Sequence, residues 1–171
     1  MSYQIDRKWS DKFIPEIRRI VGPHLLQESS FETDATQAAD LVVLKARDMT
    51  IAARVRRHGY SERYPFEFTV RSKRDTGSKT ELAKLMEGWG DWMFYAHSNK
   101  PETGFDRWMI IDLSAWREHL IKTGYSNNGW QHLSKKQSNS DGTYFVAFDV
   151  RYFPKKILIS SNSELLHLES A

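Results

Sequence analysis

The chain has 171 residues, of which 40% are hydrophobic and 27% charged, with a formal net charge of +3 and no cysteine. This length and composition predict one globular domain over residues 1–171, and they exclude wholesale disorder, disulfides and thiolate metal sites. Because neither a signal-peptide pattern nor an apolar run of membrane-spanning length is visible, we expect a cytoplasmic protein without membrane contact.

The first predicted element is a helix over residues 10–26, where apolar residues recur at helical spacing and Gly22-Pro23 ends the pattern. Three strands are predicted next, near residues 40–45, 50–57 and 66–72. The third strand alternates, with Phe66, Phe68 and Val70 on one face and polar residues on the other. We expect these three strands to form an antiparallel meander.

A capping-box pattern, Ser78-Lys-Thr-Glu81, predicts a helix near residues 79–89. Its buried stripe is expected to contain Leu82, Leu85, Met86 and Trp89. A strand over residues 92–97 follows, and a right-handed crossover would place it parallel to a strand of the meander. Further strands near residues 108–113, 143–150 and 157–159 complete an α+β fold, with an α-β-β-β-α-β core and a β-rich C-terminal addition.

Basic side chains concentrate between Arg54 and Lys84, where lysine and arginine outnumber the acidic residues. A local basic stripe of this kind is typical of a surface that binds a polyanion, and the alternative is a solvated face with surface ion pairs. If the stripe binds DNA, its expected phosphate contacts are Arg54, Arg56, Arg71 and Arg74.

The succession α-β-β-β-α-β resembles the core of the PD-(D/E)XK nuclease superfamily, over roughly residues 10–98 of this chain. In that family an Asp on one strand and a Glu-x-Lys on a neighbouring strand hold Mg²⁺. The metal ion polarises the scissile phosphate and lowers the pKa of the attacking water. The resemblance implies a nuclease-like protein that engages DNA, with Mg²⁺-dependent phosphodiester hydrolysis as its reaction if the site is active.

Two registers of this resemblance are open. In the first, Asp40-Leu-Val-Val-Leu-Lys is followed by Arg54-Val-Arg56, which places arginine at both signature positions of Glu-x-Lys. In the second, Glu67-Phe-Thr69 takes the place of Glu-x-Lys, and the second acid is Asp48 or Asp40. The second register implies the metal ligands Asp40, Asp48 and Glu67. It implies a catalytic set made of Glu67, Asp40, Arg71 and Lys79.

Two further interpretations remain because the motif is incomplete. An arginine cannot bind Mg²⁺, so a site with arginine in place of Glu-x-Lys is expected to be inactive. Some members of the superfamily keep the scaffold for binding alone. From a different class, the chain could be an interaction protein, for example an inhibitor encoded by a phage or mobile element that blocks a nucleic-acid-handling protein. An exposed aromatic patch away from the arginines would favour this second class, whereas Trp89, Trp92, Phe94 and Tyr95 are expected in the core.

Overall fold

The structure is a computed structural model that describes residues 3–28, 41–43, 49–73, 79–124, 134–138 and 144–163. The contacts between residues divide the chain into two compact units, Met1–Met49 and Thr50–Ala171. Helices and β-sheets are both present, so the α+β class is confirmed. The expectation of a single domain over the whole chain stays a prediction.

The first unit begins with two short helices, α1 (Tyr3–Asp11) and α2 (Ile14–Val21). The single helix predicted over residues 10–26 was therefore wrong. Pro15 has no backbone N–H and fits only the first turn of a helix, so a new helix begins beside it. A 3-10 turn at Gly22–Leu25 leads to strand β1 (Leu26–Glu28), which pairs antiparallel with β2 (Leu41–Val43).

The second unit contains a four-stranded sheet made of β3 (Ile51–Arg56), β5 (Trp92–Ser98), β6 (Phe105–Asp112) and β9 (Leu158–Ser161). The strands lie side by side in the order β3-β5-β6-β9. Strand β5 runs parallel to β3, and the other pairs are antiparallel. The predicted parallel placement of residues 92–97 is therefore confirmed.

A three-stranded antiparallel sheet is made of β4 (Glu67–Lys73), β7 (Ser134–Ser138) and β8 (Tyr144–Asp149). Strand β8 lies in the middle, in the order β4-β8-β7. The predicted antiparallel meander was wrong, although its three strands exist: β2 pairs with β1, β3 with β5, and β4 with β8. An alternating pattern determines which face of a strand is buried. It does not determine which strand lies beside it, because any strand with an apolar face can pair with it and bury that face equally well.

Two helices belong to the second unit, α3 (Glu81–Met86) and α4 (Leu113–Lys122), with 3-10 turns at Val150–Tyr152 and Lys155–Ile157. The hydroxyl of Thr80 caps α3 by accepting from the backbone N–H of Ala83 at 3.1 Å. The carboxylate of Asp112 caps α4 in the same way, through Ala115 at 2.9 Å. Within the described residues, no helix has the length and apolar character needed to cross a membrane.

The main core joins both sheets of the second unit with helix α4. Trp116 is fully buried, and its ring lies edge-on to Phe68 at 6.2 Å and to Phe148 at 5.3 Å between centroids. Phe68 and Val70 are fully buried, as the alternation of β4 predicted. Phe68 also lies edge-on to Tyr95 of β5 at 6.5 Å between centroids, so one core contains side chains of both sheets.

Trp89 lies outside this core, because its residue is 68% exposed. The expectation that it continues the buried stripe of α3 was wrong. Helix α3 ends at Met86, and Gly88 and Gly90 on either side of the tryptophan both have positive φ angles of 99° and 79°. These left-handed positions turn the chain away from the helix axis, so the indole projects from the turn.

Candidate functional site

A polar and aromatic cavity of about 190 Å³ lies between the two sheets of the second unit. We call it the intersheet cleft. The four-stranded sheet contributes Arg56, Tyr95 and His97. The three-stranded sheet contributes Glu67, Thr69, Gln137, Ser138 and Phe145, and the connection between β3 and β4 contributes Tyr60 and Tyr64.

Tyr95 forms one wall of the cleft with its hydroxyl 3.2 Å from the hydroxyl oxygen of Thr69. Burial raises the pKa of the Tyr95 phenol, and the nearby Glu67 carboxylate adds to this, whereas Arg56 and the bond to Thr69 oppose it. The phenol therefore stays protonated at neutral pH and can both donate and accept a hydrogen bond.

His97 lines the same wall and is only 4% exposed. Burial, followed by the positive charges of Arg56 and Arg107, lowers the pKa of the imidazole to about 4. The ring is therefore neutral at physiological pH, with one donor and one acceptor nitrogen. Its edge-on contact is with the Tyr95 ring, 5.6 Å between centroids, and no hydrogen bond reaches its nitrogens from the described residues.

Arg54 and Arg56 share one face of β3 but have different surroundings. The Arg54 guanidinium forms a half-buried ion pair with Glu81 on α3, whose carboxylate also accepts from the backbone N–H of Arg71 at 3.0 Å. The Arg56 guanidinium lies over the Phe145 ring, 5.8 Å from its centroid, and no carboxylate in the described part of the chain forms an ion pair with it. Arg56 therefore brings to the cleft a positive charge that these residues do not neutralise.

The residues predicted from the sequence are only partly brought together. Glu67 lines the intersheet cleft with Arg56, while Arg54 and the backbone of Arg71 meet at Glu81. Lys79 lies elsewhere, exposed, with its ammonium 2.8 Å from the carboxylate of Glu87. Asp40, Asp48 and Arg74 lie outside the described residues.

The described residues do not form a magnesium site around Glu67. Across the β4–β8 pair, Asp149 is the register partner of Glu67, so their side chains leave the sheet on the same face. However, the Arg151 guanidinium holds that carboxylate at 2.6 Å, and this positive charge opposes a second cation. No group of three or more His, Asp or Glu suited to a metal ion occurs among the described residues. Glu67 as a metal ligand stays a prediction.

Most aromatic and amide residues of the cleft were not predicted as site residues, and Tyr95 was expected in the core. His97 had one local signal, because an imidazole stands near the end of a strand that is mainly apolar, Trp92–Ser98. Tyr60 and Tyr64 are spaced by one helical turn, and the N–H of Tyr64 donates to the carbonyl of Tyr60 at 3.0 Å. Gln137 and Phe145 reach the cleft from β7 and β8, and nothing in their local sequence indicates that.

Comparison of the chain with protein-family models, with curated proteins and with solved structures finds no match in any of the three. Any proposal of function therefore rests on the chemistry of the intersheet cleft. That chemistry combines the Arg56 guanidinium, one carboxylate, a neutral imidazole and several aromatic rings.

Proposed function

We propose that this chain is a nuclease-like, DNA-engaging protein whose contact with DNA is centred on the intersheet cleft. The observation that carries the proposal is Arg56, a guanidinium without a carboxylate partner among the described residues, placed over the Phe145 ring. Phosphate contacts by arginine dominate the affinity of proteins for DNA, and aromatic side chains add stacking contacts with bases. A cleft with both groups is suited to a nucleotide.

A second cation, next to a side chain of the cleft, supports the same proposal. The Arg63 guanidinium lies over the ring of Tyr64, 5.3 Å from its centroid, and Tyr64 lines the cleft.

Hydrolysis is a separate part of the proposal, implied by the resemblance to PD-(D/E)XK nucleases. Glu67 is the acid of the described residues that lines the cleft, and it is the residue that would hold Mg²⁺. Among the described residues, the carboxylate across the strand pair from Glu67 is Asp149, and Arg151 already binds it. We therefore derive no catalytic step from the described residues. DNA binding and DNA cleavage are therefore to be measured separately.

The experiment for binding is a fluorescence-anisotropy titration of labelled DNA at salt concentrations from about 50 to 200 mM. Arg56→Gln should weaken binding and lower the slope of log affinity against log salt by about 0.7–0.9, the value for one lost phosphate contact. The matched control is Arg19→Gln, because Arg19 is an exposed arginine of α2 that does not line the cleft. An unchanged slope for Arg56→Gln contradicts the assignment, and no binding by the wild type at about 50 mM salt rejects DNA engagement.

Trp89 favours the second candidate, an interaction protein that acts on a nucleic-acid-handling protein. Tryptophan is enriched among residues that dominate protein interfaces, and this indole is 68% exposed on a turn that contains two glycines with positive φ. Inhibition of a purified nuclease by the wild type and not by Trp89→Ala, together with no DNA binding at low salt, would establish this function instead.

A further inference from the structure

His97 is a buried polar residue of the intersheet cleft, only 4% exposed. Its ring nitrogens have no hydrogen-bond partner among the described residues. These nitrogens are not among the fully buried, unpartnered polar atoms of the described residues, so they remain accessible to a molecule in the cleft. Because His97 lines the cleft, a ligand can supply the missing partner.

The neighbours of His97 define what that ligand must offer. The neutral imidazole presents one donor and one acceptor, and the Gln137 amide presents both kinds of group as well. The complementary ligand therefore carries alternating donors and acceptors along one edge, as a nucleobase does. A phosphate group alone offers acceptors only, so it would leave the acceptor nitrogen of His97 unsatisfied.

The shape of the cleft limits the size of the ligand. Clefts for drug-sized ligands have volumes of about 300–1,000 Å³. The intersheet cleft has about 190 Å³, which is suited to one flat ring system. The rings of Tyr64 and Phe145 line it, and the Arg56 guanidinium lies over one face of the Phe145 ring, 5.8 Å from its centroid. A flat base between aromatic side chains leaves its phosphate within reach of an arginine.

We propose, resting on the DNA engagement proposed above, that the intersheet cleft receives a single unpaired nucleobase of a DNA strand. Its hydrogen-bonding edge meets His97 and Gln137, its ring contacts Phe145, and its phosphate binds Arg56. In a duplex this edge is occupied by the complementary base. The base must therefore come from a single strand, or leave the stack before it enters a pocket of this kind.

The experiment compares three labelled oligonucleotides of equal length: a single strand, the same strand with every base replaced by an abasic residue, and a perfect duplex. The wild type should bind the single strand about tenfold more tightly than either of the others, the effect of one stacked base. Gln137→Leu should reduce the preference for the normal strand over the abasic strand severalfold, because in the proposed complex the Gln137 amide meets the base and not the phosphate. His97→Leu should do the same, and Gln137, which is only partly buried, provides a variant with little risk to folding.

The outcomes separate this inference from the function on which it depends. Equal affinity for the normal and abasic strands would overturn the base pocket and leave DNA engagement through phosphates intact. No binding to any of the three would overturn both. Free deoxyadenosine monophosphate should displace the strand only at millimolar concentration. Displacement at a concentration near the dissociation constant of the oligonucleotide would show that the cleft binds a free nucleotide and would overturn the proposed binding of a strand.

Discussion

Arg56 and His97 are register partners in the parallel pair formed by β3 and β5, and both line the intersheet cleft. The guanidinium is the second cause, after burial, of the lowered pKa of the imidazole. A cation and a neutral hydrogen-bonding ring are thereby held side by side. This parallel pairing creates one wall of the cleft, because it places the end of β3 beside the end of β5.

The first prediction concerns the protonation of His97. The pKa of about 4 lies below the ordinary value of 6.5, so between these pH values the unfolded chain binds more protons at this position than the folded chain. The free energy of unfolding should therefore rise with pH across this window, by at most about 1.4 kcal/mol per pH unit. Below and above the window, His97 should add nothing to the pH dependence of the free energy of unfolding. Urea unfolding from pH 4 to 7 should show a smaller slope for His97→Gln than for the wild type.

An NMR titration of the imidazole provides the control for this prediction. Arg56→Gln removes a positive charge beside the ring, so it should raise the pKa of His97, while Arg19→Gln should not change it. An imidazole in the wild type that titrates near its ordinary value would contradict the described burial of His97.

The second prediction concerns Glu81, whose carboxylate accepts from the Arg54 guanidinium and from the backbone N–H of Arg71. Glu81→Ala leaves both donors half-buried without this acceptor, so we expect a loss of about 1–3 kcal/mol in the free energy of unfolding. Glu87→Ala breaks the exposed pair with Lys79 and should cost less than about 1 kcal/mol. Equal losses for the two variants in urea unfolding would argue against a structural role of the Arg54–Glu81 pair.

The third prediction concerns Gly90, which has a φ of +79°. A Cβ at this position would lie 3.0 Å from the Cδ1 of Leu113, and the left-handed conformation itself disfavours a side chain by about 1–2 kcal/mol. Gly90→Ala should therefore lower the free energy of unfolding by about 1–2 kcal/mol, measured by urea unfolding. The matched control is Gly22, which has a φ of −49° and no heavy atom within 4 Å of the place where a Cβ would lie. Gly22→Ala should not destabilise the protein, and equal losses at both positions would contradict the strain at Gly90.

The fourth prediction compares two tryptophans. Trp116 is fully buried against Phe68 and Phe148, so Trp116→Ala leaves a cavity and should cost about 3–5 kcal/mol or prevent folding. Trp89 is 68% exposed, and Trp89→Ala should change the free energy of unfolding by no more than about 0.5 kcal/mol. Thermal unfolding of the two variants measures both effects, and a large loss at Trp89 would show that this indole is part of the core.

The fifth prediction concerns Glu67 and cleavage of DNA. If Glu67 is a metal ligand, Glu67→Gln should abolish Mg²⁺-dependent cleavage of plasmid DNA, while the loss of one negative charge in the cleft slightly tightens DNA binding. Cleavage assays in Mg²⁺ and in Mn²⁺, with wild type and variant side by side, measure the first effect. Equal cleavage by both proteins would exclude Glu67 from catalysis, and absence of cleavage by both would leave a binding protein.

Local patterns were sufficient to predict many elements of the second unit. The alternation of β4 identified Phe68 and Val70 as its buried face, and the order of strand, helix and strand led to the parallel placement of β5. Of the cleft, Arg56 and Glu67 were identified beforehand, because charged residues in an alternating strand indicate its polar face. These are properties of short segments, and side-chain direction within a strand follows from its period of two residues.

Only the tertiary structure decided which strands pair and which residues share the cleft. Arg56 and Glu67 were predicted on neighbouring strands of one meander, but they line the cleft from two separate sheets. Strand β3 pairs with β5 and β4 with β8, and Phe68, Val70, Val146 and Phe148 of the second pair belong to the same core cluster as Trp116. The sequence by itself therefore determined the faces of the strands, whereas the fit of apolar faces across the whole core selected their partners, because many pairings satisfy the same local alternation.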